Sequence, residues 1–251
     1  MQLLQRTTRS VRLTDAGVTY LGSCRRTLAD LRAAEDTLRG TLSEPQGTLV
    51  VTAPVVFGRI HVVPIVTALL HRNPRLNIRL VLIDRALDLV EEGIDIAVRI
   101  GDLADSTSKA VEVGAVRYVL VASPAYLKAH GIPATPQDLR RHELILFTAA
   151  SASDEWRFGP SGKRSVRIRP RLSVNAADAA ISAAEGGFGI TRVLSYQVSA
   201  AVAAGRLQRI LDDEEPPPVP VTLLFQAGRS ASPNVRSFID RAKEYFRSQM
   251  L

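Results

Sequence analysis

Two hydrophobic periods alternate along this 251-residue chain, and each change of period marks a change of element. Near the start the spacing is helical. Leu21, Cys24, Leu28, Leu31, Glu35, Leu38 and Leu42 recur in steps of three and four, while Arg25, Arg26, Asp30, Arg32, Asp36 and Arg39 fall off that stripe. Such a stripe predicts the seam of a two-helix coiled coil, with Thr14 as N-cap and Asp15 at the positive end of the helix dipole. An amphipathic helix folded back on its own domain has similar spacing. Because Leu42 runs straight into Ser43-Glu44-Pro45-Gln46-Gly47, an extended arm that pairs with a second copy through Leu21, Cys24, Leu28, Leu31, Leu38 and Leu42 is the preferred reading.

Beyond that break the period shortens. Residues 48–52 read as a buried strand, 54–71 as a helix ended by Asn73-Pro74, and 76–84 as a strand. A short helix over 86–92, stopped by Gly93, and a strand over 94–100 follow. Strand, helix, strand, helix, strand predicts a parallel sheet, whose ligands sit at the carboxyl ends of the strands: here Thr52-Ala53-Pro54, Asp84-Arg85 and Arg99-Ile100-Gly101.

A second α/β unit starts at the strand 118–122. Ser123-Pro124 opens a helix to His130, with Gly131 as its stop, and Thr135-Pro136-Gln137-Asp138 has the form of a capping box. Residues 144–147, 156–158 and 166–174 are strand-like, 178–185 helical up to Gly186-Gly187, and 195–204 helical up to Gly205. A strand over 219–225 follows Pro216-Pro217-Pro218. A terminal helix from Ser232-Pro233 to about Gln249 sets Val235, Phe238, Ile239, Ala242, Tyr245 and Phe246 on one face.

Composition narrows the class. Hydrophobic residues make up 46% and aromatics only 5%, so the core is aliphatic, which suits parallel strands and their covering helices. A single cysteine excludes a disulfide framework. With neither a signal peptide nor an uninterrupted apolar run of spanning length in the sequence, the expected location is the cytoplasm, away from membranes. The net charge of +7 points toward nucleic acid or acidic ligands. Arg6, Arg9 and Arg12 lie in an acid-free first stretch, and Gln5-Arg6-Thr7-Thr8-Arg9-Ser10-Val11-Arg12 alternates donors as a phosphate-contacting hairpin would; a solvated basic edge has the same composition.

Catalytic signals are weak. His61, His71, His130 and His142 sit on separate elements, and with Cys24 they make no zinc spacing. Gly159-Pro160-Ser161-Gly162-Lys163 lacks the first glycine and the closing hydroxyl of a phosphate loop and is expected to be a hairpin turn. Gly186-Gly187-Phe188-Gly189 lacks the third glycine of a dinucleotide fingerprint. No nucleophile elbow or placed carboxylate pair is evident, so neither an enzyme nor a cofactor is expected.

Leu3-Leu4-Gln5-Arg6-Thr7-Thr8-Arg9-Ser10-Val11-Arg12-Leu13-Thr14-Asp15-Ala16-Gly17 closely resembles the wing and linker-helix start of bacterial LysR-type transcriptional regulators. Ile83-Asp84-Arg85 with 88–101, Ala122 to Leu127, His130-Gly131-Ile132-Pro133 and Thr135 to Leu139 are similar to that family's regulatory domain, in the same order. The resemblance implies a two-lobed, periplasmic-binding-protein-like α/β effector domain (type 2) behind a wing remnant and a long linker helix. The expected bounds are a wing over 1–13, a linker over 14–46 and an effector domain over 47–251. Lobe I would take 47–121 and 228–251, and lobe II 122–227, with crossovers near 121–123 and 226–229. Family members carry a helix-turn-helix before the wing, whereas this sequence opens with the wing under way, so the base-reading element is expected to be missing and specific operator binding by these residues alone doubtful.

The resemblance further implies DNA as a partner, with Arg6, Thr7, Thr8, Arg9 and Arg12 on its backbone, a homo-oligomer (dimer or tetramer), and a small-molecule effector between the lobes. Thr52, Pro54, Val55, Asp84, Arg99, Gly101, Phe147, Asn175, Gly187 and Phe188 are the expected effector contacts. The helix start after Pro54, together with Arg99, suits a small anion; Arg99 paired with Asp84 or Asp102 is the equal alternative. Two other readings share the fold: a free-standing ligand-binding and oligomerisation module, and, more weakly, an enzyme built on binding-protein lobes.

Overall fold

The structure is a computed structural model that describes residues 2–7, 10–38, 44–85, 88–101, 108–148, 154–226 and 232–248. At its start β1 (Leu4–Thr7) and β2 (Ser10–Leu13) form an antiparallel hairpin. Thr14 then caps α1 (Asp15–Leu38): its Oγ1 accepts the Gly17 N–H at 3.0 Å and donates to the Gln2 carbonyl at 2.8 Å. A Cβ at Gly17 would lie 2.0 Å from the Leu3 carbonyl oxygen, so only glycine lets the helix start this close to the hairpin.

The first lobe is a five-stranded sheet of β3 (Gly47–Ala53), β4 (Leu76–Leu82), β5 (Ile96–Ile100), β6 (Ser108–Val116) and β14 (Val219–Gln226), ordered β4-β3-β5-β14-β6. β3 is parallel to β4 and β5; β14 is antiparallel to β5 and β6. Between β3 and β4, α2 (Val55–Phe57), a π turn (Gly58–Val62) and α3 (Val63–Arg72) run as one helix, ended by Asn73, whose side chain donates to the Leu69 carbonyl. By length and composition Val55–Arg72 could cross a membrane, although Arg59, His61 and His71 interrupt its apolar run. It is nevertheless a core helix, burying Phe57, Val62, Ile65 and Leu69 with β3 and with α7 (Pro233–Ser248). Gly58 allows the close approach: a Cβ there would fall 2.2 Å from Leu82 Cδ2.

The expected helix over 86–92 does not form where the chain is described. Residues 89–93 form a single turn instead: the Asp88 carboxylate caps its start by accepting the N–H groups of Val90 and Glu91 at 2.7 and 2.9 Å, and Gly93, at positive φ, ends it, with the Ile94 N–H returning to the Leu89 carbonyl at 2.9 Å; residues 86 and 87 lie outside the described set. Strand β6 carried no sequence expectation at all.

The second lobe contains β7 (Tyr118–Ala122), α4 (Pro124–His130), a 3-10 turn (Pro136–Arg141), β8 (Leu144–Phe147), β9 (Glu155–Phe158), β10 (Arg164–Arg167), β11 (Leu172–Val174), α5 (Ala177–Glu185), β12 (Ile190–Leu194), α6 (Ser195–Ala203) and β13 (Gln208–Ile210). Its sheet order is β11-β8-β12-β7-β13, with β9 and β10 as a separate hairpin. The capping box forms, with the Thr135 N–H donating to Asp138 at 2.9 Å. Residues 159–163 are the hairpin turn, with Gly159 and Gly162 at positive φ. The run 166–174 is two strands of different sheets, divided before Pro170, which has no N–H for a ladder.

The crossovers differ from expectation. β7 belongs to the second sheet, so the chain leaves the first lobe at Arg117; β14 belongs to the first, so the return lies within 211–218. Hydrophobic runs reveal strands but not which sheet a strand joins, and both boundaries were set one strand too late. The prolines 216–218 are therefore part of the returning connection.

Candidate functional site

A cleft of about 460 Å³ opens between the lobes, lined by Val55, Leu82, Ile83, Asp84 and Arg85 from the first and by Thr148, Asn175 and Ala176 from the second. Its volume suits a small metabolite. Topology puts it there. The parallel strands β3 and β4 end at Ala53 and Leu82, β8 and β11 at Phe147 and Val174, and the chain after each end turns into the gap. Two helix starts face the same gap: α2 behind Pro54, and α5 behind Ala176, neither capped by the side chain of its own N-cap residue.

The polar groups are already partly engaged. Asp84 Oδ1 accepts the Val55 N–H at 3.0 Å, so one donor of the α2 start, expected to be open for an anion, is taken by a carboxylate of the chain itself. Thr148 bonds the Val174 carbonyl through its N–H at 2.8 Å and its hydroxyl at 3.1 Å, tying the two strand ends together. Arg99 stands behind the wall, its Nη1 3.5 Å from the Arg85 carbonyl; burial lowers its pKa. Behind Val55, Phe57 meets Tyr196 of α6 edge-on at 5.2 Å. Burial, then the charge of Asp84, raises the Tyr196 pKa, so the phenol stays neutral beside the cleft.

Of the ten expected contacts, Val55, Asp84 and Asn175 line the cleft, and Pro54 immediately precedes Val55 as the α2 N-cap. Thr52 does not: it is 0% exposed and its hydroxyl donates to the Val81 carbonyl at 2.9 Å. Gly101 donates to Pro220 beside the returning strand, and Phe147 packs against the cores of both lobes. Gly187 and Phe188 lie at the far edge. They precede β12, whose Ile190 N–H bonds the Glu143 carbonyl at the start of β8, and parallel strands put their starts opposite the cleft. The Arg171 guanidinium covers the Phe188 ring instead. Arg85, expected at a strand end beside Asp84, lines the cleft as well, whereas Thr148, Ala176, Leu82 and Ile83 were missed as contacts, although the rule that the residue after each parallel strand faces the ligand would have found Thr148.

Among the described residues no cluster of His, Cys, Asp or Glu could hold a metal. Of the basic segment, Arg12 is exposed on β2, Arg6 and Thr7 lie on β1, and Thr8 and Arg9 fall outside the described residues. Along α1, Leu21 and Cys24 are half-buried, Leu28 and Leu31 are 56% and 57% exposed, and Leu38 ends the helix; Leu42 lies outside the described set.

Comparison with known proteins places this geometry. The LysR substrate binding domain family matches residues 42–247. The HTH-type transcriptional regulator PtxR of Pseudomonas aeruginosa is 34% identical over 248 residues, covering 98% of this chain and 79% of that protein. Among solved structures, CrgA, a LysR-type transcriptional regulator from Neisseria meningitidis, superposes with a TM-score of 0.73 at 27% identity, covering 98% of this chain and 84% of that one. The full-length Vibrio cholerae virulence activator AphB gives 0.72 at 26% identity, with the same coverage.

Proposed function

This chain belongs to the LysR-type transcriptional regulators, and on that footing we propose that it senses a small effector held in the cleft between Val55–Asp84–Arg85 and Thr148–Asn175–Ala176. The observation that carries this reading is the cleft itself, walled by both lobes at the carboxyl ends of their parallel strands. The effector is a small polar molecule with an anionic group. That group is seated by Asn175, the α5 start and Arg85, while Asp84 meets a hydrogen-bond donor on the same molecule. Arg99 acts as a positioning residue through its bond to the Arg85 backbone.

Regulators of this family bind DNA and small-molecule effectors and are oligomeric. We assign the corresponding surfaces of this chain to the β1–β2 hairpin, whose Arg6, Thr7 and Arg12 would contact DNA phosphates, and to α1, where Leu21, Cys24, Leu28 and Leu31 would face a second copy. Action on transcription implies the cytoplasm, and a binding role rather than catalysis. Calorimetry of the full chain against a panel of small carboxylates tests the site. Asn175→Leu is expected to weaken the best ligand at least tenfold, about 1.4 kcal/mol, and Arg99→Ala to weaken it less. Affinities within a factor of about two of the parent for both variants would remove the effector from this cleft.

A further inference from the structure

The lobes meet behind the cleft in a knot of aromatic rings centred on His61. This imidazole, 6% exposed, sits in the π turn of the first-lobe helix, an irregularity often found at functional positions. Its ring centroid lies 4.7 Å from Phe57, 5.6 Å from Tyr196 of the second lobe, and 6.1 and 6.0 Å from Tyr245 and Phe246 of α7. Nδ1 is 3.4 Å from the Tyr245 hydroxyl, and Nε2 is buried without a hydrogen-bond partner. Either tautomer therefore leaves one ring nitrogen unmatched, a cost that buried polar groups rarely carry without a role.

We propose that His61 is a proton-operated latch between the lobes, closed while the imidazole is neutral and released when it is protonated, so that acidification opens the effector cleft. The titratable groups facing it are Tyr196 from α6 and Tyr245 from α7; both phenols are held neutral by raised pKa values. Phe57 and Phe246 close the other sides. On α7, Arg241 is already paired to Glu244, and Asp84 acts on Tyr196 rather than on His61. No carboxylate ion-pairs with His61 among the described residues, and burial pushes its pKa down. Separating Tyr196 from the ring would admit water to Nε2 and restore a value near the ordinary ~6.5. The open form thus binds the proton better. The closed form is fully favoured above about pH 6.5 and loses ground as the pH falls through and below that value.

This regulation of the cleft rests on the proposed function, but its test needs no effector. In a Cys24→Ser background, spin labels on cysteines replacing the exposed Arg79 and Lys128 report the distance between lobes. The parent is expected to show a single distance at pH 8 and a growing second population below about pH 6.5. His61→Phe, which keeps a ring in the knot, should hold the pH 8 distance throughout. Proton-detected NMR titration of the four histidines, with His61 identified by its loss in His61→Gln, should give it the lowest midpoint. An interlobe distance independent of pH in the parent, the same pH response in His61→Phe, or a His61 midpoint at or above about 6.5 would overturn the latch. Failure of carboxylate binding with the distance response intact would instead remove only the effector reading.

Discussion

In the first lobe β4-β3-β5-β14-β6 and in the second β11-β8-β12-β7-β13 repeat one arrangement: four strands running one way and, fourth in the row, an antiparallel strand that has just crossed from the other lobe. The filling differs. The first lobe builds one large core from bulky side chains, among them Phe57, Ile65, Phe238 and Phe246, and that core draws in Ala177, Leu194 and Tyr196 of its neighbour. The second divides its interior in two. One face lies under α5 and α6, where Ala180, Ala184 and Ala201 let the helices come close; the other lies under the β9–β10 hairpin, where Trp156 and Phe158 fill the space. The same topology thus yields one self-contained lobe and one whose core is completed across the cleft, which makes the first lobe the one that registers opening.

Substitutions can break that contrast. Trp156→Ala is expected to cost about 3–5 kcal/mol in urea denaturation followed by circular dichroism. Hydrogen exchange should rise in the second sheet while the first stays protected; equal loss in both sheets would show that the second lobe is not self-contained. Phe57→Ala falls in the same range, but its exchange should rise in α6 as well as in the first lobe, because Phe57 touches Tyr196. Ala180→Leu overpacks a fully buried position on α5 and should cost about 1–3 kcal/mol; a melting temperature no lower than the parent's would mean that α5 has room to retreat. The smallest effect sharpens the picture of the cleft. Asp84→Ala removes the acceptor of the Val55 N–H and is expected to cost about 1 kcal/mol in thermal unfolding. It should strengthen binding of a plain carboxylate that can take the vacated donor, and weaken a ligand whose own donor faces Asp84.

Legibility in the sequence followed the range of the interaction. The Thr14 cap, the Thr135–Asp138 box, the Asn73 stop and the 159–163 turn each depend on a few neighbouring residues, and all could be read from them. The turn at 89–93 reads as a longer helix because its hydrophobic spacing suits one, whereas the Asp88 cap and the Gly93 stop leave room for a single turn between them. The cleft was half legible. Asp84 follows from a strand end and Val55 from the helix start behind Pro54, whereas Asn175 comes only with the family resemblance. Gly187 and Phe188, expected in the cleft from the family resemblance, precede β12 and so lie at the opposite edge of the sheet.

What the sequence determined by itself is most of the elements and the family, because periodicity, caps and long motifs are local; β6 and β13, which carry none of these signals, escaped it. Tertiary structure alone decided which sheet each strand joins. β7 and 219–226 read as apolar strands of either lobe, and only pairing with β12 and with β5 assigns them. It also decided what surrounds His61. Phe57, Tyr196, Tyr245 and Phe246 are scattered over 190 residues of chain, and no local rule connects them. Burial of an imidazole without a partner on Nε2 is a property of that assembled knot, since the free energy of a polar group depends on what encloses it rather than on its neighbours in sequence.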